Sequence, residues 1–204
     1  MRKYFLLSLA VASIIFAACK SNNNSANTQT DSGKDTATSM QPTHDSMNAD
    51  MNMNNTTSAV SVKDLVADYL EMKNAFTQDN SNDAAAAGKT LQAAFINFDT
   101  KSLSADQQKT FNDIADDAKE HAEHIGANGG NIPHQREHFD LLSKDMADLV
   151  KTLGTGGQTL YKDFCPMYNN SKGAYWLSET KEIKNPYLGK AMPTCGSVKE
   201  EIKQ

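Results

Sequence analysis

Two short segments near the end of the chain carry cysteine and methionine at a spacing suited to a soft metal ion. They are Cys165-Pro166-Met167 and Met192-Pro193-Thr194-Cys195-Gly196. In each segment a thiol and a thioether lie two or three residues apart, and a proline restricts the local backbone. Thiolate and thioether sulfur select ions such as Cu(I). The spacing therefore predicts a site for copper(I) or silver(I) whose main ligands are Cys165, Met167, Met192 and Cys195.

The same two cysteines support a second interpretation. Two cysteines in an oxidising compartment ordinarily form a disulfide. A bridge between Cys165 and Cys195 would stabilise the fold by on the order of 3–4 kcal/mol in the chain-entropy description. The protein would then be a stapled structural or interaction module of an envelope complex, without a metal of its own. The cysteines alone leave both interpretations open, and the flanking methionines favour the metal.

Histidines form a second group of candidate ligands. His121 and His124 fall in the last turns of one predicted helix, and His134 and His138 fall in the first turns of the next. If these helices form an antiparallel hairpin, the four imidazoles gather at its turn. As metal ligands, pairs spaced i,i+3 and i,i+4 share one helical face, so at least one of these imidazoles is expected to bind a metal. His134 and His138 are the candidate nitrogen donors to the copper or silver ion of the sulfur site. The alternative is ordinary ion pairing with nearby carboxylates and with the helix dipole.

The start of the chain is typical of an export signal. Residues 1–18 contain a charged start at Arg2 and Lys3, and an apolar run over 5–16 that is too short to span a bilayer. Ala17-Ala18-Cys19 then has the pattern of a bacterial lipoprotein signal, in which the Cys19 thiol is lipidated. Several acyl chains would anchor the protein stably to a membrane. We expect a lipid-anchored protein of the cell envelope.

Residues 19–60 are expected to be a disordered tether after the lipidated cysteine. This segment is rich in Asn, Ser, Thr and Met and has almost no aromatic or branched apolar side chains. Lys20 follows the anchor where an aspartate would favour the inner membrane, so we expect the outer membrane, on its periplasmic side. Methionine is unusual in a solvated linker, which suggests a weak Cu(I) site; the alternative is compositional drift. Its candidate ligands are His44, Met47, Met51 and Met53.

The remaining chain predicts a mainly α fold. Apolar residues recur with a period near 3.6 in four segments, which indicates an antiparallel four-helix bundle over 61–153. Lys73 falls on the first apolar stripe, where only its stem is expected to be buried. Residues 154–204 are rich in aromatic and turn residues and predict a small irregular module of short strands and turns, packed on the bundle and closed by a short helix from Val198. The predicted helices cover about 62–76, 83–98, 105–125 and 132–153.

Charge and motifs exclude several classes of function. Residues 61–153 contain 9 basic and 16 acidic side chains, a net charge of −7, which argues against a nucleic-acid partner. No His-Glu-x-x-His sequence, Gly-x-Ser-x-Gly elbow or c-type haem attachment sequence is present. We therefore do not expect an enzyme.

Five segments carry a resemblance to a known family that covers about residues 62–203, namely 134–143, 160–167, 173–178, 183–189 and 192–196. Together they resemble a bacterial envelope domain of unknown function that occurs in lipoproteins and is also fused to periplasmic adaptor subunits of copper/silver efflux pumps. The resemblance implies a heavy-metal context and a helical domain that ends in the sulfur-rich module. One departure is Tyr168, where alanine is common. The matching positions are His134, Arg136, Cys165, Met167, Trp176, Asn185, Met192 and Cys195.

The sequence thus predicts a periplasmic, lipid-anchored protein that binds Cu(I) or Ag(I) and contributes to metal resistance. It would buffer the ion or pass it to an efflux system, with a metal efflux adaptor as its candidate partner.

Overall fold

Four long helices are followed by a small antiparallel sheet in the computed structural model, which describes residues 60–203. This confirms the mainly α fold class with a C-terminal module of short strands and turns. The predicted signal peptide, Cys19 and the candidate tether ligands His44, Met47, Met51 and Met53 lie outside the described residues. The helices are α1 (Val62–Thr77), α2 (Ser81–Ile96), α3 (Ala105–Ala127) and α4 (Ile132–Leu153), and the strands are β1 (Leu160–Cys165), β2 (Ala174–Ser178) and β3 (Ser197–Ile202).

Capping residues set where the helices begin. At the start of α1 the Asp64 carboxylate accepts hydrogen bonds from the Ser61 amide and hydroxyl, and at the start of α3 Ser104 forms a reciprocal capping box with Gln107. In α2 the side chain of Asn80 accepts a hydrogen bond from the Asp83 amide, so this helix starts two residues earlier than predicted. Each cap satisfies backbone amides that the first helical turn leaves without partners.

The helices run antiparallel, as contacts between their ends demonstrate. Gln135, in the first turn of α4, donates hydrogen bonds to the carbonyl of Ser81 at the start of α2 and to that of Ile125 near the end of α3, each at 3.0 Å. At the opposite end, Gln107 near the start of α3 donates to the carbonyl of Thr152 near the end of α4. The end of α3 and the start of α4 therefore lie side by side.

The sheet has the strand order β2-β1-β3, with both neighbours antiparallel to β1. It shares one hydrophobic core with the helices, because buried residues of α1 to α4 form a single cluster with Leu160, Trp176, Tyr187 and Ile202. The β1–β3 pairing shifts register between Lys162 and Asp163. Within residues 60–203, no helix is long and apolar enough to cross a membrane.

The predicted C-terminal helix from Val198 is wrong, because Ser197–Ile202 forms strand β3 instead. Lysine and glutamate at 199–201 favour a helix by intrinsic propensity. Pairing with β1 outweighs that preference, since Leu160 lies opposite Ile202 and both side chains are buried. Tertiary contacts thus decide the conformation of this segment.

Candidate functional site

Four histidines gather where α3 ends and α4 begins, as the hairpin predicts. His121 and His124 lie on α3, and His134 and His138 lie on α4. The His138 ring packs against the other three, with centroid distances of 4.2 Å to His124, 4.7 Å to His134 and 5.4 Å to His121. Its ring is nearly parallel to that of His124, at an angle of 5°. The short turn over 128–131 brings the two histidine pairs together.

Ring nitrogens in this cluster lie close enough to share an ion. One donor atom each from His124, His134 and His138 lies within 4.8 Å of the other two. The Nδ1 atoms of His121 and His138 are 3.3 Å apart. In residues 60–203 this trio is the one group of three or more His, Cys, Asp or Glu side chains that meets the 4.8 Å limit.

A carboxylate oxygen lies near a ring nitrogen in three of the four histidines. Asp145 Oδ2 lies 4.0 Å from His121 Nε2, Glu120 lies 3.8 Å from His124 Nε2, and Glu137 lies 3.5 Å from His134 Nδ1, each distance being to the carboxylate oxygen. Burial, together with the charges of Asp117 and Asp148, raises the pKa of Asp145 to about 6. The cluster therefore combines imidazoles with carboxylates that lie 3.5–4.0 Å from a ring nitrogen in three of the four cases.

The imidazoles of His121 and His138 favour the neutral form, because their pKa values are lowered. Burial, followed by the mutual repulsion of neighbouring rings when protonated, lowers the pKa of His138 to about 4. Burial also lowers the pKa of His121. A neutral imidazole keeps a lone pair available, and this is the form that binds metal ions.

The two sulfur segments converge in the C-terminal module. The Sγ atoms of Cys165, at the end of β1, and Cys195, just before β3, are 3.2 Å apart. The backbone amide of Met167 also reaches the Cys195 sulfur. Cys165 is fully buried, whereas Cys195 is partly exposed. A residue pair thirty positions apart thus forms one local centre.

The sulfur–sulfur distance lies between those of the two sequence-based interpretations. A disulfide requires a bond of about 2.05 Å, so the sulfurs would have to approach by roughly 1.2 Å. Two sulfurs on one tetrahedral ion at about 2.3 Å stand roughly 3.8 Å apart, a small opening from the observed distance. The Cys165 hydrogen bond and burial raise the pKa of the Cys195 thiol. Met167 and Met192 are 54% and 38% exposed, so their flexible thioethers are free to turn.

The buried residue Asn185 positions the Met192–Cys195 segment through its side chain and its backbone. Asn185 Nδ2 donates to the carbonyl of Cys195 at 2.6 Å, and the Asn185 amide donates to the carbonyl of Pro193 at 2.8 Å. Its Oδ1 accepts hydrogen bonds from the amides of Tyr187 and Leu188, each at 2.8 Å. Asn185 is fully buried, and its bond to the Tyr187 amide is buried as well, whereas those to Cys195 and Leu188 are partly buried.

Two segments next to the sulfur centre adopt backbone conformations that are rare for most residues. Gly196 has a φ of 145°, and a Cβ there would stand 2.9 Å from the Trp176 ring. After Met167, the single turn Tyr168–Ser171 contains three consecutive residues with φ between 52° and 64°. Asparagine, at 169 and 170, tolerates this left-handed conformation better than other non-glycine residues.

The structure does not combine the predicted nitrogen and sulfur donors. The cysteines are not members of the histidine group, in which His134 and His138 of α4 face His124 of α3. Arg136 lies on another side of α4, where it donates to the carbonyls of Pro186 and Phe76 and to Asp79. His134 and His138 differ from Arg136 by about 200° around the helix axis.

Sequence reasoning missed a buried charged group beneath the sheet. Only the stem of Lys73 was expected to be buried, but its ammonium is also fully buried, 2.7 Å from Glu179 and 2.7 Å from Asn74 Oδ1. Asp163 on β1 is buried too, and neither carboxylate oxygen has a hydrogen-bond partner. Burial raises the pKa of Asp163 to about 7 despite the charge of Lys73. A lysine within an apolar helical stripe was the available signal.

The fold and these centres define a helical domain with a small appended sheet and two separate clusters, one of histidines and one of two cysteines with neighbouring methionines. Residues 65–158 match the family described as protein of unknown function DUF3347. The match covers most of the four helices, including all four clustered histidines, and ends before β1 and the sulfur segments. Neither a curated protein nor a solved structure matches the chain significantly.

Proposed function

We propose that this protein is a lipid-anchored metal-binding protein of the cell envelope that takes up Cu(I) or Ag(I) at its sulfur centre. The observation that carries the proposal is the 3.2 Å approach of the Cys165 and Cys195 sulfurs, each with a methionine close by in sequence. Thiolate and thioether sulfur are the donors that soft ions prefer. Cys165, Met167, Met192 and Cys195 are the proposed ligands.

The exposure of the four proposed ligands supports entry of the ion from the solvent-facing side of the sulfur centre. Cys165 is closed off by the core, while Cys195, Met167 and Met192 have access to solvent. An incoming ion would displace a proton from each thiol, since the thiolate is the ligand. The exposed thioethers would then close over the ion. An ion held on this open side is also accessible to a second protein, as release to an efflux system requires.

The N-terminal pattern supports placement in the envelope, in the outer membrane facing the periplasm. In this arrangement the protein buffers the ion or passes it to a metal efflux adaptor. Labelling of cells with a radioactive fatty acid tests the anchor: we expect label on the wild type and none on Cys19→Ser. Label on the serine variant would contradict it.

Competition for Cu(I) with a chromophoric chelator tests the sulfur centre directly. We expect the reduced chain to bind one Cu(I) at this centre. Cys165→Ser with Cys195→Ser should weaken binding by more than about a hundredfold, since even partners of metal ligands contribute 10–100-fold. Met167→Leu with Met192→Leu should weaken it less. Cys19→Ser is the matched control, because it removes the remaining cysteine and leaves the centre intact.

Two results would contradict the copper proposal. One is a reduced wild-type chain that binds no Cu(I) in the competition assay. The other is a double serine variant that competes as well as the wild type, because the cysteines would then not be ligands. Far-UV circular dichroism of each variant establishes that the compared chains are folded.

A stapled interaction module is the second candidate, and the same 3.2 Å distance favours it. Cys165 and Cys195 need only a small approach to form a disulfide in an oxidising compartment. Mass measurement of protein taken from the periplasm, with and without thiol alkylation, distinguishes the two functions. A staple predicts that both thiols are blocked and that reduction lowers the melting temperature.

A further inference from the structure

The histidine cluster has no role in the sulfur centre. We propose that His121, His124, His134 and His138 form a second, independent site for a divalent transition-metal ion such as Zn²⁺ or Cu²⁺. The proposed ligands are imidazole nitrogens from both arms of the α3–α4 hairpin. This site does not depend on the proposed binding of Cu(I) or Ag(I).

The spacing of the nitrogens fits a shared ion. Two nitrogens on one tetrahedral ion at 2.0–2.1 Å stand about 3.3–3.4 Å apart. The Nδ1 atoms of His121 and His138 are 3.3 Å apart, which already matches this distance. The trio of His124, His134 and His138, within 4.8 Å, needs an inward movement of roughly 1.5 Å at most. All four rings are partly exposed, so small rotations of the side chains suffice.

The orientation of His121 supports the same conclusion. One of its nitrogens faces His138, and the other faces Asp145 at 4.0 Å. Metal-bound histidines commonly donate their second N–H to a carboxylate, which fixes the ring and raises its basicity. Asp145 Oδ2 is buried and has no hydrogen-bond partner, so it is available for this role.

Ordinary ion pairing does not account for His138, which among residues 60–203 is the one ring of the four without a carboxylate oxygen within 4.0 Å. Positive charge on His121 and His124 is favoured near the end of α3, but on His134 and His138 it is disfavoured near the start of α4. The 5° stacking of His124 on His138 would also bring two positive charges together if both rings were protonated. A bound cation stabilises four neutral rings in this arrangement.

The donor set indicates the class of ion. Imidazole suits Zn²⁺, Cu²⁺ and Ni²⁺, whereas Ca²⁺ and Mg²⁺ prefer oxygen ligands. No cysteine of residues 60–203 belongs to the group, so the thiol preference that selects Cu(I) is absent there. Two centres with different donors would therefore hold ions of different character.

Calorimetric titration of the full chain with Zn²⁺ tests the site. The chain should carry Cys165→Ser and Cys195→Ser, so that thiols of the sulfur centre cannot bind the ion. We expect one Zn²⁺ per chain, and an affinity more than about a hundredfold lower after His138→Asn, which removes the ring that contacts the other three. His44→Asn is the matched control, because it alters the remaining histidine; it should change the affinity less than about threefold.

Failure of this site is distinguishable from failure of the sulfur centre. The histidine proposal is overturned if the chain binds no Zn²⁺, or if His138→Asn binds Zn²⁺ as tightly as its parent. If His138→Asn does not fold, His124→Asn, at a more exposed ring, takes its place. Ring ¹⁵N chemical shifts should move at these histidines on Zn²⁺ addition, and unchanged shifts overturn the proposal. Cu(I) competition by His138→Asn should match the wild type.

Asp145 is proposed as a positioning residue for His121. Asp145→Asn should weaken Zn²⁺ binding by about tenfold, as expected for a partner of a metal ligand. It should also move the ring ¹⁵N shifts of His121 more than those of His134. Asp148→Asn is the matched control, because Asp148 lies on the same helix and pairs with Lys151 instead. Equal effects of the two substitutions would overturn the assignment.

Discussion

The helical bundle and the C-terminal module position their candidate ligands in different ways. In the bundle, the histidines occupy regular turns of α3 and α4, which short-range backbone hydrogen bonds hold in place. In the module, the sulfurs depend on the β1 register, on Gly196, on the turn Tyr168–Ser171 and on Asn185. The first arrangement is repetitive, whereas the second depends on a few individual residues.

This difference implies different tolerance to substitution. A helix loses little of its geometry when one side-chain contact is removed, because many backbone hydrogen bonds remain. An irregular segment that is held by one buried side chain loses its geometry with that side chain. Matched substitutions in the two regions therefore test whether their tolerance differs in this way.

The largest effect is expected at Asn185. Asn185→Ala removes three side-chain hydrogen bonds and leaves buried backbone groups unpaired, so the free energy of unfolding should fall by about 3 kcal/mol. Affinity for Cu(I) should fall as well, while affinity for Zn²⁺ stays the same. Urea denaturation and the two metal titrations measure these effects. Asn112→Ala, at an exposed position on α3, is the control. Equal losses at both sites would contradict the dependence on single residues.

Gln135 is the corresponding buried amide of the bundle. Gln135→Ala removes hydrogen bonds to the carbonyls of Ser81 and Ile125 and from the Ser81 hydroxyl. We expect the free energy of unfolding to fall by about 2 kcal/mol. Zn²⁺ affinity should change little, because the helices themselves position the histidines. A loss of Zn²⁺ binding as large as that from His138→Asn would show that the histidines also depend on a single buried side chain.

The pH dependence of stability should come in large part from the module. The pKa of Asp163 is about 7 in the folded protein and near 3.9 in an unfolded chain, so folding favours its protonated form. Its stabilising contribution is complete below about pH 4 and is lost as the pH rises through 7. The free energy of unfolding should therefore fall by up to about 1.4 kcal/mol per pH unit in that window.

Asp163→Asn should reduce that slope, and urea denaturation at several pH values measures it. Asp68 and Asp145 in the bundle also have pKa values raised to about 6, mainly by burial, so part of the slope should remain. Asp113→Asn, at an exposed carboxylate that pairs with Lys109, should leave the slope unchanged. An unchanged slope in Asp163→Asn would show that this carboxyl group is not protonated on folding.

The smallest effect is expected at a helix cap. Ser104→Ala removes the side chain that accepts a hydrogen bond from the Gln107 amide at the start of α3. The melting temperature should fall by an amount equivalent to about 1 kcal/mol. Ser102→Ala, just outside the helix, should cost less. Neither substitution should alter binding of Zn²⁺ or Cu(I), because the cap lies at the opposite end of α3 from the histidines.

Most of the helical bundle could be predicted from the sequence, because the residues that set its helix boundaries lie close together in the chain. Capping at Ser61 and Ser104, Pro133 in the first turn of α4 and Gly154 after its end mark the helix boundaries. The gathering of the histidines followed from helical spacing and a short turn. These features require only residues within a few positions of one another.

The rest depends on contacts between distant segments. Burial of the Lys73 ammonium requires Glu179, more than a hundred residues later, and β3 requires its pairing with β1. The approach of Cys165 to Cys195 likewise follows from the arrangement of the sheet and the Asn185 turn. Spacing in sequence cannot specify such contacts, because each depends on the register of a partner strand or helix.

Helix α4 contacts both centres through different sides. Its histidines face α3, and Arg136 on another side binds the carbonyl of Pro186, the neighbour of Asn185. Small rotations of the imidazole side chains close the proposed histidine site without moving the helix backbone, so Arg136 and the turn that orients Cys195 stay in place. One helix thereby serves two sites whose coupling free energy is expected to be zero, and neither ion should change the affinity for the other.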